Sequence, residues 1–69
     1  MDQEDIKNRF TYHSPKNDQA ERYAALRREV RSTAAFIDRA CPDSREKRLA
    51  ITKLEEAVFW ANASIARNE

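Results

Sequence analysis

The stretch Arg9-Phe10-Thr11-Tyr12-His13-Ser14-Pro15-Lys16 gathers two aromatic rings, an imidazole and two basic groups into eight residues. It lacks a helical period, whereas the chain after it reads as helix. Aromatic faces stack on nucleobases, and guanidinium or ammonium groups hold phosphate oxygens. On an irregular segment the cluster reads as a surface for something flat and anionic. The other reading is that Phe10 and Tyr12 pin the N-terminal arm to the helices. Composition alone leaves both open.

A second candidate lies in Arg27-Arg28-Glu29-Val30-Arg31. Charge runs of this kind usually form a solvated helix face with pairs one turn apart. Arg27 and Arg31 nevertheless share a face, and two guanidinium forks at that spacing suit phosphodiester oxygens. Catalysis finds no comparable support. His13 is the only histidine, and it adjoins Ser14 in sequence where a triad would need a spaced nucleophile. Glu55-Glu56 point to different helix faces and read as solvated charge. One histidine and one cysteine cannot complete a zinc site, so no catalytic residue, metal or cofactor is expected.

The elements that must position these groups are helices. Glycine is absent, which removes glycine-rich phosphate loops and primed hairpin turns. An all-α fold follows: a single domain over 1–69, with an arm and loop at 1–17 and long helices at 18–41 and 43–68. Met1 to Lys7 reads as a short helical arm with Ile6 as its one apolar anchor. Asp18 with Glu21, and Asp43 with Glu46, have the spacing of capping boxes. Pro42 ends the first long helix. The short connection makes the two helices antiparallel neighbours.

Tyr23, Leu26, Val30, Ala34, Ile37 and Cys41 form the amphipathic stripe of the first long helix, and Ile51, Leu54, Val58, Ala61 and Ile65 that of the second. A further apolar set on the second helix, Leu49, Ala50, Ala57, Phe59, Trp60, Ala63 and Ala66, exceeds what a lone hairpin can cover. Exposed apolar patches usually mark interfaces, so Phe59, Trp60, Ala57 and Ala63 are expected to form an oligomer contact. Alternatively, Trp60 folds back on the arm, or the Phe59/Trp60 face docks a partner protein on a small interaction module.

A 69-residue chain buries only about 60% of its unfolded surface. No disulfide supplements that core, because Cys41 is the only cysteine; Cys41 reads as a free thiol in a reducing compartment. Oligomerisation is the remaining staple. Thirteen basic groups against twelve acidic ones leave a net charge of +1. That argues against a general DNA or RNA binder, which carries a clear basic excess, but not against a small anionic ligand held by local cations. No apolar run approaches the roughly 20 residues that span a bilayer, so a cytosolic protein is expected.

The segment Asp5-Ile6-Lys7-Asn8-Arg9-Phe10-Thr11-Tyr12-His13-Ser14-Pro15, the Cys41-Pro42 turn, and the tail from Leu49-Ala50-Ile51-Thr52-Lys53-Leu54 to Ser64-Ile65-Ala66-Arg67-Asn68 resemble the helical-hairpin family of bacteriophage anti-CBASS sponge proteins. The anti-Thoeris sponges share the hairpin. The resemblance covers nearly the whole chain. It implies a non-enzymatic homo-oligomer, typically a hexamer, acting in the cytoplasm of the infected bacterial host without cofactor, DNA or membrane. Its ligands would be cyclic oligonucleotides such as cyclic GMP-AMP. Cyclic dinucleotides would sit between protomers, and in some members cyclic trinucleotides occupy separate pockets. Carried over residue by residue, Tyr12 stacks on a base and Arg27 stands on the phosphate side, where relatives often have lysine. Phe10, Arg9, His13 and Arg31 are neighbours of suitable chemistry, and Arg67 is a candidate for a second pocket. Relatives often have proline at the position of Ser14. A cyclic dinucleotide is nearly two-fold symmetric, so a two-fold pocket with paired Tyr12 and Arg27 would match it.

Overall fold

In the computed structural model, which describes residues 1–69, the chain folds as α1 (Gln3–Arg9), α2 (Gln19–Ala40) and α3 (Arg45–Asn68), with no strand. Each start has its own chemistry. Asp2 caps α1, its Oδ1 accepting from the Glu4 N–H at 3.0 Å. Asn17 turns the chain into α2 at φ 54°, a left-handed conformation that asparagine tolerates better than most residues.

Neither expected capping box forms. Asp18 occupies the helix-entry position, but its carboxylate reaches Arg22 at 3.2 Å and leaves the backbone uncapped. Gln19 serves nearby, its Oε1 accepting from the Lys16 N–H at 3.1 Å. At α3 the cap is Ser44, not Asp43: the Ser44 hydroxyl accepts from the Lys47 N–H at 3.1 Å. Asp43 stands one residue too early, and its carboxylate turns to Arg48 at 3.2 Å. Ser44→Ala is therefore expected to cost about 1 kcal/mol, whereas Asp43→Ala loses only an exposed ion pair worth about 0–1 kcal/mol. Urea denaturation of both variants measures the difference.

α2 and α3 lie side by side, and theirs is the main helix–helix contact. The two stripes meet along this seam, with Leu26, Val30, Ile37, Leu54, Val58 and Ile65 all half-buried. At the turn, the Lys47 ammonium reaches the carboxylate of Asp38 at 3.0 Å and the carbonyls of Asp38 and Cys41 at 3.3 and 3.5 Å. A cation there answers the unpaired carbonyls and negative dipole end of α2.

The result is a slab of 45 × 30 × 13 Å, one helix thick. No hydrophobic residue is fully buried, and Gln19 is the only buried residue of any kind. The accessible surface of 5642 Å² is about a quarter above the roughly 4,500 Å² expected of a compact 8.1 kDa monomer. The radius of gyration, 15.2 Å, likewise exceeds the roughly 11 Å of a compact chain of this length.

Candidate functional site

Because α2 and α3 run antiparallel, the start of α2 and the end of α3 share the open end of the hairpin. The arm is tied down there by polar groups. Asn8 Nδ2 donates to the Arg67 carbonyl at 3.1 Å, satisfying one of the carbonyls that a helix end leaves unpaired. His13 Nε2 lies 2.9 Å from the Asn8 carbonyl. A carbonyl only accepts, so this nitrogen carries the proton and Nδ1 is left to the other side. Phe10 and Tyr12 do not pin the arm: they are 85% and 84% exposed. Ile6 is half-buried.

A latch closes the same end. Glu69 receives the Arg22 guanidinium, with Nη1 to Oε2 at 2.7 Å, and Gln19 Nε2 at 3.1 Å. Lys16 Nζ donates to the Glu69 carbonyl at 2.9 Å. The bond from Arg22, then that from Gln19, holds the Glu69 carboxyl down to about 2, against an opposing push from burial. The same bond raises the Arg22 guanidinium further above its ordinary value. A carboxyl depressed in the folded state stabilises fully above its ordinary pKa, 4.5, and that contribution disappears as pH falls towards 2. Between pH 5 and 2 wild type is expected to lose more thermal stability than Glu69→Gln, and melting curves across that range test it. Glu69 is 40% exposed, so salt weakens the effect.

Between arm and hairpin lies an open cleft of about 350 Å³, lined by Arg9, Thr11, Tyr12, His13, Tyr23, Arg27, Asn62, Ala63, Ala66 and Arg67. Five of the seven expected ligand residues meet here: Tyr12, Arg27, His13, Arg9 and Arg67. No carboxylate lines the cleft. Arg9 is partly engaged, since Asp5 grips it at 3.1 and 3.3 Å. Arg27 and Arg67 form no ion pair, so their guanidinium charge is available to an anion.

Phe10 and Arg31 lie outside this cleft. Phe10 shares a neighbouring hollow with Trp60, Arg9 and Arg67, so Trp60 does stand near the arm, yet it remains 64% exposed. Arg31 lines a groove with Arg27, Val30, Ala34, Ile51, Leu54, Glu55, Val58 and Phe59. Phe59 and Trp60 thus serve different surfaces, because adjacent helical residues diverge by about 100°. Of the expected interface residues, Ala63 lines the Tyr12 cleft and Ala57 is exposed.

Tyr23 and Asn62 complete the cleft. Tyr23 reads in sequence as one more member of the core stripe, and a lone asparagine on a helix gives no signal. Asn62 Oδ1 is buried without a hydrogen-bond partner. A bare buried polar atom costs about 1–3 kcal/mol.

An aromatic–cationic cleft on a glycine-free helical hairpin is the setting in which the comparison with known families decides. The family model described as "Acb2/Tad1, hairpin domain" matches residues 2–66. The chain belongs to this family. No curated protein and no solved structure matches the chain. The Acb2/Tad1 hairpin family is that of the anti-CBASS and anti-Thoeris sponges, a family of binding proteins rather than enzymes, and membership implies a cyclic-nucleotide sponge role in general terms. No helix of the Acb2/Tad1 hairpin described here is long and apolar enough to cross a membrane.

Proposed function

We propose that this hairpin sequesters cyclic oligonucleotide second messengers, cyclic dinucleotides foremost, and so blocks CBASS signalling in the bacterial host of a phage. One observation carries the reading: an exposed tyrosine, a histidine and two unpaired arginines converge on a carboxylate-free cleft. Tyr12 stacks on a base, while Arg27 holds a phosphate from the wall of α2. His13 offers Nδ1 as an acceptor to a ribose hydroxyl. Arg9 and Arg67 add positive charge at the rim. Cyclic GMP-AMP carries the aromatic faces and two phosphates that this set accepts, and cyclic trinucleotides carry a third. Nothing needs to be cleaved: the protein lowers the free concentration of the messenger, and the effector is starved of its activator.

Assembly belongs to the same reading. A slab with no buried apolar residue and an excess of surface gains its core by packing against copies of itself, and a homohexamer is the arrangement proposed. The excess area, roughly 1,100 Å², exceeds the roughly 800 Å² that one partner contributes to a standard interface. The Phe59 groove supplies one such contact. A symmetric assembly would bring two open clefts together and present paired Tyr12 and Arg27 to a two-fold ligand. The groove also suits an apolar helix of another protein, which is the competing reading; light scattering separates them, since that module would be a monomer or dimer.

Calorimetric titration with a panel of cyclic dinucleotides and trinucleotides tests the sponge reading. Saturable binding at micromolar concentration or tighter, with intact ligand recovered after denaturation, is the expected result. An absence of heat for every member of the panel overturns it.

A further inference from the structure

Asn62 supplies neither charge nor an aromatic face to the cleft. It projects from α3 into the wall of the Tyr12 cleft, half-buried. On a hairpin whose only buried residue is Gln19, its Oδ1 is shielded from solvent and accepts no hydrogen bond. The only other such atom is Arg22 Nε, and that guanidinium is already engaged by Glu69 and Asp18 through its remaining nitrogens. Asn62 has no such compensation. Buried acceptors are paired in folded proteins, so this one points to a donor the isolated chain lacks.

We infer that Asn62 is the specificity-determining residue of the cleft: its Oδ1 accepts a hydrogen bond from the exocyclic amino group of the base stacked on Tyr12. This rests on the cyclic-nucleotide reading above. The cleft already supplies an aromatic face and phosphate-holding cations, which are sequence-tolerant. It lacks any other neutral carboxamide, the side chain that pairs in a bidentate way with the amino group and N7 of adenine. Guanine offers the same donor chemistry through its 2-amino group. Hypoxanthine has neither amino group, so the proposed hydrogen bond is lost, and a site built around a polar partner rejects an analogue lacking it. Solvent does not reach Oδ1, so the base enters with a shift of the surrounding side chains.

The test is calorimetric titration of the full chain with cyclic di-AMP, cyclic di-GMP and cyclic di-IMP. Wild type is expected to bind one of the amino-bearing rings about tenfold to a hundredfold more tightly than cyclic di-IMP, one hydrogen bond to each of the two bases in the paired cleft. Preference for cyclic di-AMP assigns the 6-amino group and preference for cyclic di-GMP the 2-amino group; both support the inference. Asn62→Leu is expected to bring the ratio to about one without weakening cyclic di-IMP, while Asn62→Asp, which keeps an acceptor in place, retains the ratio. Circular dichroism checks folding, and Asn62→Ala replaces the leucine variant if helicity falls. A wild type indifferent to the amino group, or an Asn62→Leu ratio equal to wild type, overturns the inference while leaving the sponge reading intact. Failure of all three rings, and of the remaining cyclic dinucleotides and trinucleotides of the panel, to bind wild type overturns that reading itself.

Discussion

Tyr12→Ala is expected to weaken cyclic dinucleotide binding by about ten- to a hundredfold while leaving the fold and assembly mass unchanged. A lost stacking partner is worth about 1–3 kcal/mol per base, and the lower end counted at both bases of the ring falls in this range. The selectivity follows from where the side chain stands. Tyr12 is 84% exposed and makes no hydrogen bond, and the arm is held instead through Asn8 and His13. Truncating the ring therefore removes the proposed ligand contact without loosening a structural one. Phe10→Ala is the control, because Phe10 is equally exposed but lies outside the cleft. Titration of both variants, with helicity checked by circular dichroism, is the measurement. Loss confined to Phe10→Ala would move the base to the Phe10–Trp60 hollow.

Phe59→Ala and Trp60→Ala are each expected to destabilise the protein by about 3–5 kcal/mol, the cost of deleting a fully buried large aromatic, and to shift its mass towards the monomer. In the single chain these rings are 62% and 64% exposed, and surface substitutions there would usually fall within about 0.5 kcal/mol. The two expectations differ several-fold, so the variants report directly on assembly. The melting temperature of wild type should also rise with protein concentration, since anything that binds only the folded chain stabilises it by mass action. Variants that melt and weigh as wild type would leave the slab without its proposed core.

Much of the hairpin was legible because its apolar residues keep a three-four rhythm: Leu26, Val30 and Ile37 face Leu54, Val58 and Ile65 as that rhythm requires. Cap identity was not. Asp18, Asp43 and Ser44 all have capping chemistry, and only the local backbone and competing arginines decide which side chain turns inward. At the site, Tyr12, His13 and Arg27 stood out by type, and the fold brings them together. Phe10 stood out equally, yet the end of α1 directs it to another hollow. Tyr23 was hidden because a cleft-lining aromatic at helical spacing looks like core. Asn62 and Glu69 were invisible for a different reason. Their importance depends on a missing partner in one case and on residues 47 to 53 positions away in the other.

The central claim is that copies of this hairpin together hold an intact cyclic oligonucleotide. Native mass spectrometry of the protein, alone and after mixing with a set of cyclic dinucleotides and trinucleotides, tests it most directly. The expected result is a single homo-oligomeric species, six subunits, that gains the mass of whole cyclic nucleotides in defined number. A monomer that gains no mass from any of them would contradict it.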